Sequence, residues 1–307
     1  MELIQIGKNG PKVAAVGVGC WAWGDRYFWD YGRSYGKDDL RAAFQASIAA
    51  GQTFFDMAEI YGLGRSEKIL GEFIAEHNDE VIIASKCFPY PWRLTAGSLL
   101  AALKRSLKRL GVPQIHLYQM HWPYAPVKIE SWMNAIANAV EAGLVKQVGV
   151  SNYSAQQTEL AYKTLERRGL HLASNQILFS LIDRGPEHTG LLQLCKDLGV
   201  TVIAYSPIGQ GLLTGKYSAQ NPLPGRRRAA ISGAGWEQLQ PLLDELLRIG
   251  TAHGGKTRAQ VALNWCTAKG TLPIPGAKNA YQATENAAAL GWSLSEEEVS
   301  KLDQVSD

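Results

Sequence analysis

The chain has 307 residues, of which 46% are hydrophobic and 19% charged, and its formal net charge at pH 7 is +3. A chain of this length can bury a complete core without disulfides or metals, and its small, dispersed charge does not indicate a nucleic-acid partner. No apolar run approaches the roughly 20 residues that span a bilayer, and the amino terminus has no basic stretch followed by a long apolar one. We therefore predict one soluble, cytoplasmic domain over residues 1–307, without a membrane partner.

The cysteines do not form any metal-binding or disulfide pattern. They stand far apart, at Cys20, Cys87, Cys195 and Cys266, with no pair two residues apart. Such spacing argues against a structural zinc site and against the disulfide framework of a small secreted protein. We predict no metal.

Short apolar runs alternate with amphipathic helical stretches along the chain. The first two runs, residues 3–6 and 12–15, flank Asn9-Gly10, a dipeptide typical of a β-hairpin, and we expect this hairpin to close the amino-terminal end of the fold. Eight further strand segments follow, each with a helical stretch behind it, at residues 16–19, 53–56, 81–86, 116–121, 147–151, 173–177, 200–205 and 271–274. This α/β repeat of about thirty residues predicts a closed parallel (β/α)8 TIM barrel. The capping-box spacing of residues 295–298 predicts an extra C-terminal helix.

Three irregular segments are long for a compact domain, namely residues 20–37, 88–94 and 209–235. Each follows a strand, on the face where barrels carry their active sites. Polar side chains stand where the predicted strands end, at Asp56, Lys86, His121, Ser151, Gln176 and Tyr205, and Tyr61 follows Asp56 after one short loop. We therefore predict that they meet at the mouth of the barrel.

Asp56, Tyr61, Lys86 and His121 together suit one reaction, the reduction of a carbonyl. Taken singly, Asp56 has an alternative role as a helix cap, Lys86 as a surface residue and His121 as a core histidine. Reduction of a carbonyl needs a hydride and a proton for the developing alkoxide. Tyr61 has an ordinary pKa of about 10, which we expect a neighbouring ammonium to lower. A carboxylate would keep that ammonium charged, and a histidine would orient the carbonyl oxygen.

Three motifs resemble those of the aldo-keto reductase superfamily, above all its members from cyanobacteria and plastids; they are residues 55–62, 85–86 and 121–123. The resemblance implies NADPH-dependent reduction of aldehydes or ketones to alcohols. It assigns Tyr61 as proton donor, Lys86 as modulator of its pKa, Asp56 as the partner of Lys86, and His121 as the carbonyl-orienting group. The family usually has threonine where Met57 stands, a departure that we expect to affect packing more than chemistry.

The same resemblance implies an extended NADPH site. The assigned residues lie at strand ends or in the loops behind them: Cys20, Trp21, Ser151, Asn152, Gln176, Tyr205, Ser206, Pro207, Ile208, Gly209, Gly211, Leu212, Lys216, Arg226, Ile274, Gly276, Ala277, Lys278, Gln282, Glu285 and Asn286. Lys278 would contact the 2′-phosphate, near a helix N-terminus that suits an anion. Many relatives have arginine where Gln282 stands, so we expect Lys216 and Arg226 to fold over the cofactor in compensation. A solvated surface run is the alternative for Arg226.

One apparent dinucleotide motif does not support a Rossmann fold. Residues 17–22 match G-x-G-x-x-A after a strand, but that fingerprint requires a helix that begins within the glycines. The residues that follow form a loop-like aromatic cluster instead.

Aromatic residues are concentrated in the loops of the predicted mouth. We expect Trp23, Trp29, Trp92 and Trp122 to line a substrate pocket, because aromatic walls with few charges suit an apolar or aromatic carbonyl compound. Part of this aromatic set is expected to pack the loops together instead.

Other functions remain open for the same barrel. A cofactor-binding regulatory subunit would keep NADPH and turn over little. A Schiff-base lysine would require a neutral amine, which Asp56 beside Lys86 disfavours. A metal-dependent hydrolase would need more ligands than His121 and Asp56 supply. We expect a monomer.

Overall fold

The computed structural model describes residues 3–77, 79–124, 126–225, 227 and 233–306. A short antiparallel hairpin is formed by β1 (Leu3–Gln5) and β2 (Lys12–Ala14). Eight parallel strands follow in one sheet, and each pairs with its neighbours in chain order: β3 (Val18–Gly19), β4 (Phe54–Asp56), β5 (Ile82–Cys87), β6 (Ile115–Met120), β7 (Val145–Ser151), β8 (Leu172–Leu178), β9 (Thr201–Tyr205) and β10 (Leu272–Ile274).

Contacts between the first and last parallel strands close this sheet. Gly19 and Gly276 form a parallel bridge. The amide of Gly17 donates to the carbonyl of Pro273 at 2.9 Å, and the amide of Gly19 donates to that of Pro275 at 3.0 Å. The predicted (β/α)8 barrel is thereby confirmed.

The helices cover the outside of the barrel; they are α1 (Lys37–Ala49), α2 (Arg65–Ala75), α3 (Ala96–Leu110), α4 (Ile129–Glu141), α5 (Ala155–Glu166), α6 (Gly185–His188), α7 (Leu191–Leu198), α8 (Gly233–Ala252), α9 (Arg258–Ala268), α10 (Ala280–Ala287) and α11 (Glu296–Val305). Two helices, α8 and α9, stand between β9 and β10, where the repeat predicts one. The C-terminal helix begins as predicted, because the Ser295 hydroxyl accepts from the amide of Glu298 at 3.2 Å.

The barrel interior is filled by inward-facing apolar side chains. Phe54, Leu117 and Ile203 belong to one buried cluster with Ile6 and Val13 of the hairpin. Burying a side chain of this size stabilises a fold by about 1.5–3 kcal/mol. The hairpin therefore closes the amino-terminal end of the interior, as predicted. In the described ranges, no helix is both long and apolar enough to cross a membrane.

Candidate active site

Tyr61 lies in a tight turn directly behind β4. Three successive residues have positive φ there, 55° at Gly62, 58° at Leu63 and 85° at Gly64. A Cβ on Gly62 would stand 2.6 Å from the carbonyl oxygen of Gly24. Only glycine therefore allows the loop behind β3 (residues 20–36, the first mouth loop) to pack on this turn. The turn holds the Tyr61 ring edge-on to His121, with ring centroids 5.8 Å apart.

A buried ion pair lies beneath the Tyr61 hydroxyl. Lys86 Nζ donates to Asp56 Oδ2 at 2.5 Å and to the carbonyl of Met57 at 2.7 Å, and it lies 3.4 Å from Tyr61 Oη. Asp56 continues the inward face of Phe54, because strand side chains alternate between the two faces. The structure thus brings the predicted tyrosine, lysine and aspartate into one contact chain.

The pKa of Tyr61 is shifted in the direction opposite to the one expected from the sequence. Burial and the nearby charge of Asp56 raise the pKa of Tyr61 well above its ordinary value. Burial lowers the pKa of Lys86, while the Asp56 carboxylate opposes that shift. Tyr61 consequently holds its proton near neutral pH, which suits a group that donates a proton to a carbonyl oxygen.

His121 completes this group at the end of β6. Its ring lies between Tyr61 and Phe88, whose centroid is 5.6 Å away. Burial and the positive charge of Lys86 hold the pKa of His121 well below its ordinary value. Within the described part of the chain, its Nδ1 is buried without a hydrogen-bond partner. The ring is therefore neutral at neutral pH and has hydrogen-bonding capacity for a ligand.

Two buried amides hold the other oxygen of Asp56. Gln176 Nε2 donates to Asp56 Oδ1 at 2.7 Å, and Gln119 Nε2 donates to the same oxygen at 3.2 Å. Gln176, which the sequence analysis assigned to the cofactor, therefore also contacts the aspartate through its amide nitrogen. The sequence interpretation missed Gln119. Its spacing of two from His121 on a strand was the available signal, because it places both side chains on the inward face.

The ends of β7, β8 and β9 are joined by polar side chains. Ser151 donates to the carbonyl of Gln176 at 2.9 Å. Asn152, with φ of 62°, donates to the carbonyl of His121 at 3.2 Å and accepts from the Tyr205 hydroxyl at 2.9 Å. These contacts orient the Tyr205 ring at the mouth and bring the predicted nicotinamide residues together.

The loop behind β9 forms a tight turn beside a cavity. Positive φ values occur at Ser206, Gly209, Gln210 and Gly211. The last three of these residues are consecutive, and the amides of Gly209 and Gly211 donate within the turn to the carbonyls of Ser206 and Ile208. A cavity of about 530 Å³ lies beside this turn, lined in part by Ser206, Gly209 and Leu212. Pro207 and Leu212 are buried, Ile208 is half-buried and Lys216 is exposed.

The loop behind β10 leaves open space for a ligand. A Cβ on Gly276 would meet only the Gly19 carbonyl oxygen, at 3.7 Å. Asn286 holds this loop by donating to the carbonyl of Gly276 at 3.2 Å, and Gln282 accepts from the amide of Lys278 at 2.9 Å. Glu285 accepts through its backbone carbonyl from Gln260. Ile274, the last residue of β10, packs in the barrel interior.

Two cations cover the ring of Trp29 beside the Gly276 loop. The guanidinium of Arg227 lies 4.7 Å from the ring centroid and Lys278 Nζ lies 4.6 Å from it. Arg227 also donates to the carbonyl of Gln210 at 3.0 Å, so it joins the β9 loop to the first mouth loop. Arg226, the residue assigned from the sequence, lies outside the described residues. Arg227 belongs to the same basic run, and it contacts Trp29 and Gln210.

Three assignments change on the basis of burial and contacts. Trp23 is fully buried, packs on Phe55 and donates to the carbonyl of Ala277, so it belongs to the core and not to a pocket. Cys20 is also fully buried, its thiol directed at the carbonyl of Val18, and we no longer assign it to the cofactor. Trp21 reaches Tyr61, with centroids 6.4 Å apart, and so lines the substrate side.

Aromatic rings lie on both sides of the Tyr61 ring at the mouth. Trp21 stacks on Phe28 at 4.8 Å and meets Trp29 edge-on at 5.4 Å. On the opposite side, Phe88 contacts both His121 and Tyr90, and Tyr90 stacks on Trp92. Trp122 and Tyr124 form a separate stacked pair. The mouth therefore presents flat apolar walls around a polar centre.

The chain matches the profile described as the aldo/keto reductase family over residues 15–307. It is 41% identical to a chloroplastic pyridoxal reductase from Arabidopsis thaliana, over 96% of this chain and 84% of the plant protein. It is 32% identical to L-glyceraldehyde 3-phosphate reductase from Escherichia coli O157:H7, over 99% and 92% of the two chains. A crystal structure of an aldo-keto reductase from Klebsiella pneumoniae in complex with NADPH superposes with a TM-score of 0.78 at 28% identity, covering 99% of this chain and 95% of that one.

Proposed function

The chain belongs to the aldo/keto reductase family, and we propose that it reduces aldehydes and ketones to alcohols with NADPH, using Tyr61 as the proton donor. The placement of Lys86 Nζ carries this proposal, because it lies between Asp56 Oδ2 at 2.5 Å and Tyr61 Oη at 3.4 Å. A positive charge at that distance stabilises the phenolate that remains when a tyrosine gives up its proton.

The four side chains have distinct tasks in this reaction. The bound cofactor supplies the hydride. Tyr61 donates its proton to the oxygen of the carbonyl as negative charge develops there, and the Lys86 ammonium stabilises the resulting phenolate. Neutral His121 donates a hydrogen bond to the same carbonyl oxygen and thereby orients it. Asp56 holds the ammonium in place.

The residues around the mouth fit an extended dinucleotide. Ser151, Asn152 and Gln176 lie together at the ends of β7 and β8, where we place the nicotinamide carboxamide, and Tyr205 offers a flat ring. We place the pyrophosphate at the turn over residues 206–212, beside the cavity, and the open space at Gly276 admits an adenosine. We assign Lys278 and Arg227, with Lys216 at the periphery, to the 2′-phosphate, and Gln282, Glu285 and Asn286 to the adenine side.

We propose aromatic aldehydes as the substrate class, with pyridoxal as the first candidate. The flat walls formed by Trp21, Phe88 and Trp122 suit a planar ring, and the outer residue Trp92 extends the same surface. The similar plant protein is named a pyridoxal reductase, which agrees with a planar aldehyde.

The decisive experiment is a titration of the purified protein with NADPH, followed by NADPH oxidation with nitrobenzaldehyde and with pyridoxal. We expect binding and turnover. Binding without turnover on either aldehyde would favour a cofactor-binding regulatory subunit. Failure to bind NADPH would contradict the proposed site.

Trp21→Ala tests the aromatic wall. Because the indole lies beside the Tyr61 ring, where an aromatic aldehyde would stack on it, its loss should raise KM for nitrobenzaldehyde about three- to tenfold and leave KM for propanal nearly unchanged. Trp292→Ala is the control, since that indole packs on His253, away from the mouth. An equal effect on the two aldehydes would contradict stacking at Trp21.

The affinity for NADPH should fall at alkaline pH. Burial, reinforced by the charge of Arg227, lowers the pKa of Lys278 to about 8. The 2′-phosphate of bound NADPH would raise the pKa of Lys278 again, so NADPH binding takes up a proton above pH 8. The affinity for NADPH is therefore full only below pH 8. We expect a loss approaching tenfold per pH unit above 8 for NADPH, and no such loss for NADH. Fluorescence titrations over this range check it, with Lys278→Met as the variant that should remove the slope.

We also propose a monomer located in a reducing compartment such as the cytoplasm. The four cysteines are buried and unpaired, as expected where thiols stay reduced. A molar mass of 33.5 kDa measured by light scattering would support the monomer, and twice that mass would contradict it.

A further inference from the structure

We propose that Gln119 is a positioning residue for carbonyl reduction: it orients the Asp56 carboxylate and, through it, Lys86 and Tyr61. This inference rests on the proposed function of those three residues. Gln119 itself is fully buried on β6, so its side chain is not exposed to a substrate or cofactor in the mouth of the barrel.

Hydrogen bonds determine which way the Gln119 amide faces. An ionised carboxylate only accepts, so the NH₂ group must face Asp56 Oδ1, 3.2 Å away. The amide oxygen then accepts from the hydroxyl of Ser174 at 3.3 Å. Both ends of the amide are therefore used inside the protein. Gln119 acts as a strut from β8 through β6 to the carboxylate on β4.

Gly149 on β7 leaves the space that this strut occupies. A Cβ added to Gly149 would lie 2.4 Å from Ser174 Oγ and 2.8 Å from Gln119 Cγ. Side chains do not approach so closely, and any larger residue would displace the strut. The requirement for glycine at this strand position thus has the same cause as the orientation of Gln119.

The strut matters because Asp56 has two different tasks for its two oxygens. Oδ2 binds Lys86, while Oδ1 accepts from Gln119 and Gln176. The proposed nicotinamide contact of Gln176 makes its amide responsive to the cofactor. Gln119 is held by protein atoms alone, so it fixes the plane of the carboxylate whether or not the cofactor is bound. Without it, the carboxylate turns and Lys86 Nζ leaves its place 3.4 Å from Tyr61 Oη.

Gln119→Leu removes the strut and keeps a similar volume. We expect kcat for nitrobenzaldehyde to fall about ten- to hundredfold, the effect of one lost hydrogen bond to a buried charge, with nearly unchanged NADPH affinity. Gln52→Leu is the matched control. Gln52 is also buried and donates to the carbonyl of Val16 at 3.1 Å, but it precedes β4 at the opposite end from Asp56. It should lower the melting temperature and leave kcat of the folded protein unchanged.

Gln119→Glu gives a readout that a purely structural residue would not. In its protonated form the new carboxyl donates to Asp56 as the amide does, and once ionised it repels Asp56. The kcat of this variant, relative to wild type, should therefore fall as pH rises, whereas the ratio for Gln119→Leu should not vary with pH. Ser174→Ala, which removes only the outer support, should lower kcat by a smaller factor.

The outcomes separate this inference from the proposed function. If wild-type protein turns over and Gln119→Leu retains its kcat, or if Gln52→Leu lowers kcat equally, the positioning role is wrong and the reaction stands. A pH-independent ratio for Gln119→Glu would equally overturn the role. If the wild-type protein itself reduces no aldehyde, the proposed function fails instead.

Discussion

Tyr61→Phe is expected to abolish aldehyde reduction while NADPH binding is retained. The substitution keeps the ring that packs against Trp21 and His121 and removes only the hydroxyl. That hydroxyl has a single described hydrogen-bond contact, Lys86 Nζ at 3.4 Å, so little stability depends on it. General acids contribute about 10²–10⁴ to a rate, and kcat should fall by at least that range. Steady-state kinetics measure kcat, and NADPH fluorescence measures the affinity.

Tyr205→Phe is the matched control for this prediction. Tyr205 also lies at the mouth, but its hydroxyl donates to Asn152 at 2.9 Å and does not reach Lys86. Loss of one neutral hydrogen bond should change kcat or NADPH affinity by about tenfold at most. Turnover by Tyr61→Phe at a rate near wild type would show that another group supplies the proton.

The barrel and its catalytic group follow from local patterns in the sequence. Strand segments buried on both faces are recognisable as continuous apolar runs, and parallel strands carry their C-terminal ends to one face. For that reason Asp56, Lys86 and His121, each at a strand end, could be placed together before any coordinates. The hairpin of β1 and β2 was also predicted from a local signal, Asn9-Gly10, but its turn differs from the one that this dipeptide indicates. Gln5 pairs with Lys12, so the connection spans residues 6–11, and its positive φ occurs at Gly7.

The remaining contacts depend on spatial relations between distant segments. Gln119 was passed over because it stands within a strand, and its role appears only when Asp56 and Ser174 face it from other strands. Burial of Trp23 depends on Phe55 and on the carbonyl of Ala277, which is 254 residues away in sequence. No local pattern distinguishes such a tryptophan from one that lines a pocket.

The direction of the Tyr61 pKa shift is a second case of this kind. From the sequence, an adjacent ammonium predicts a lower pKa for tyrosine. In the structure, the charge of Lys86 is neutralised at 2.5 Å by Asp56, and burial then dominates and raises the pKa of Tyr61. The competition between burial and charge depends on distances, which composition and spacing do not contain.

Asp56→Asn is expected to remove turnover and to lower the free energy of unfolding by about 3–5 kcal/mol, because the buried ammonium of Lys86 loses its counter-charge. Both partners are almost completely buried, at 2% and 0% exposure, so solvent cannot replace the lost charge. Adding Lys86→Met should restore part of the stability, since the double variant buries no unpaired charge. Urea denaturation of the wild type, the two single variants and the double variant measures this coupling.

The stability of Asp56→Asn should also depend on pH in a defined direction. Burial already lowers the pKa of Lys86 in the native protein, and without Asp56 that shift grows. The unfolded chain then binds a proton that the folded variant releases, between the lowered pKa and the ordinary value of about 10.4. Stability of this variant must therefore rise with pH through that window, relative to Asp56→Asn combined with Lys86→Met, which lacks the titrating group. Parallel pH profiles for these two variants would mean that Lys86 does not change its protonation, and that its charge is satisfied by the Met57 carbonyl and the Tyr61 hydroxyl alone.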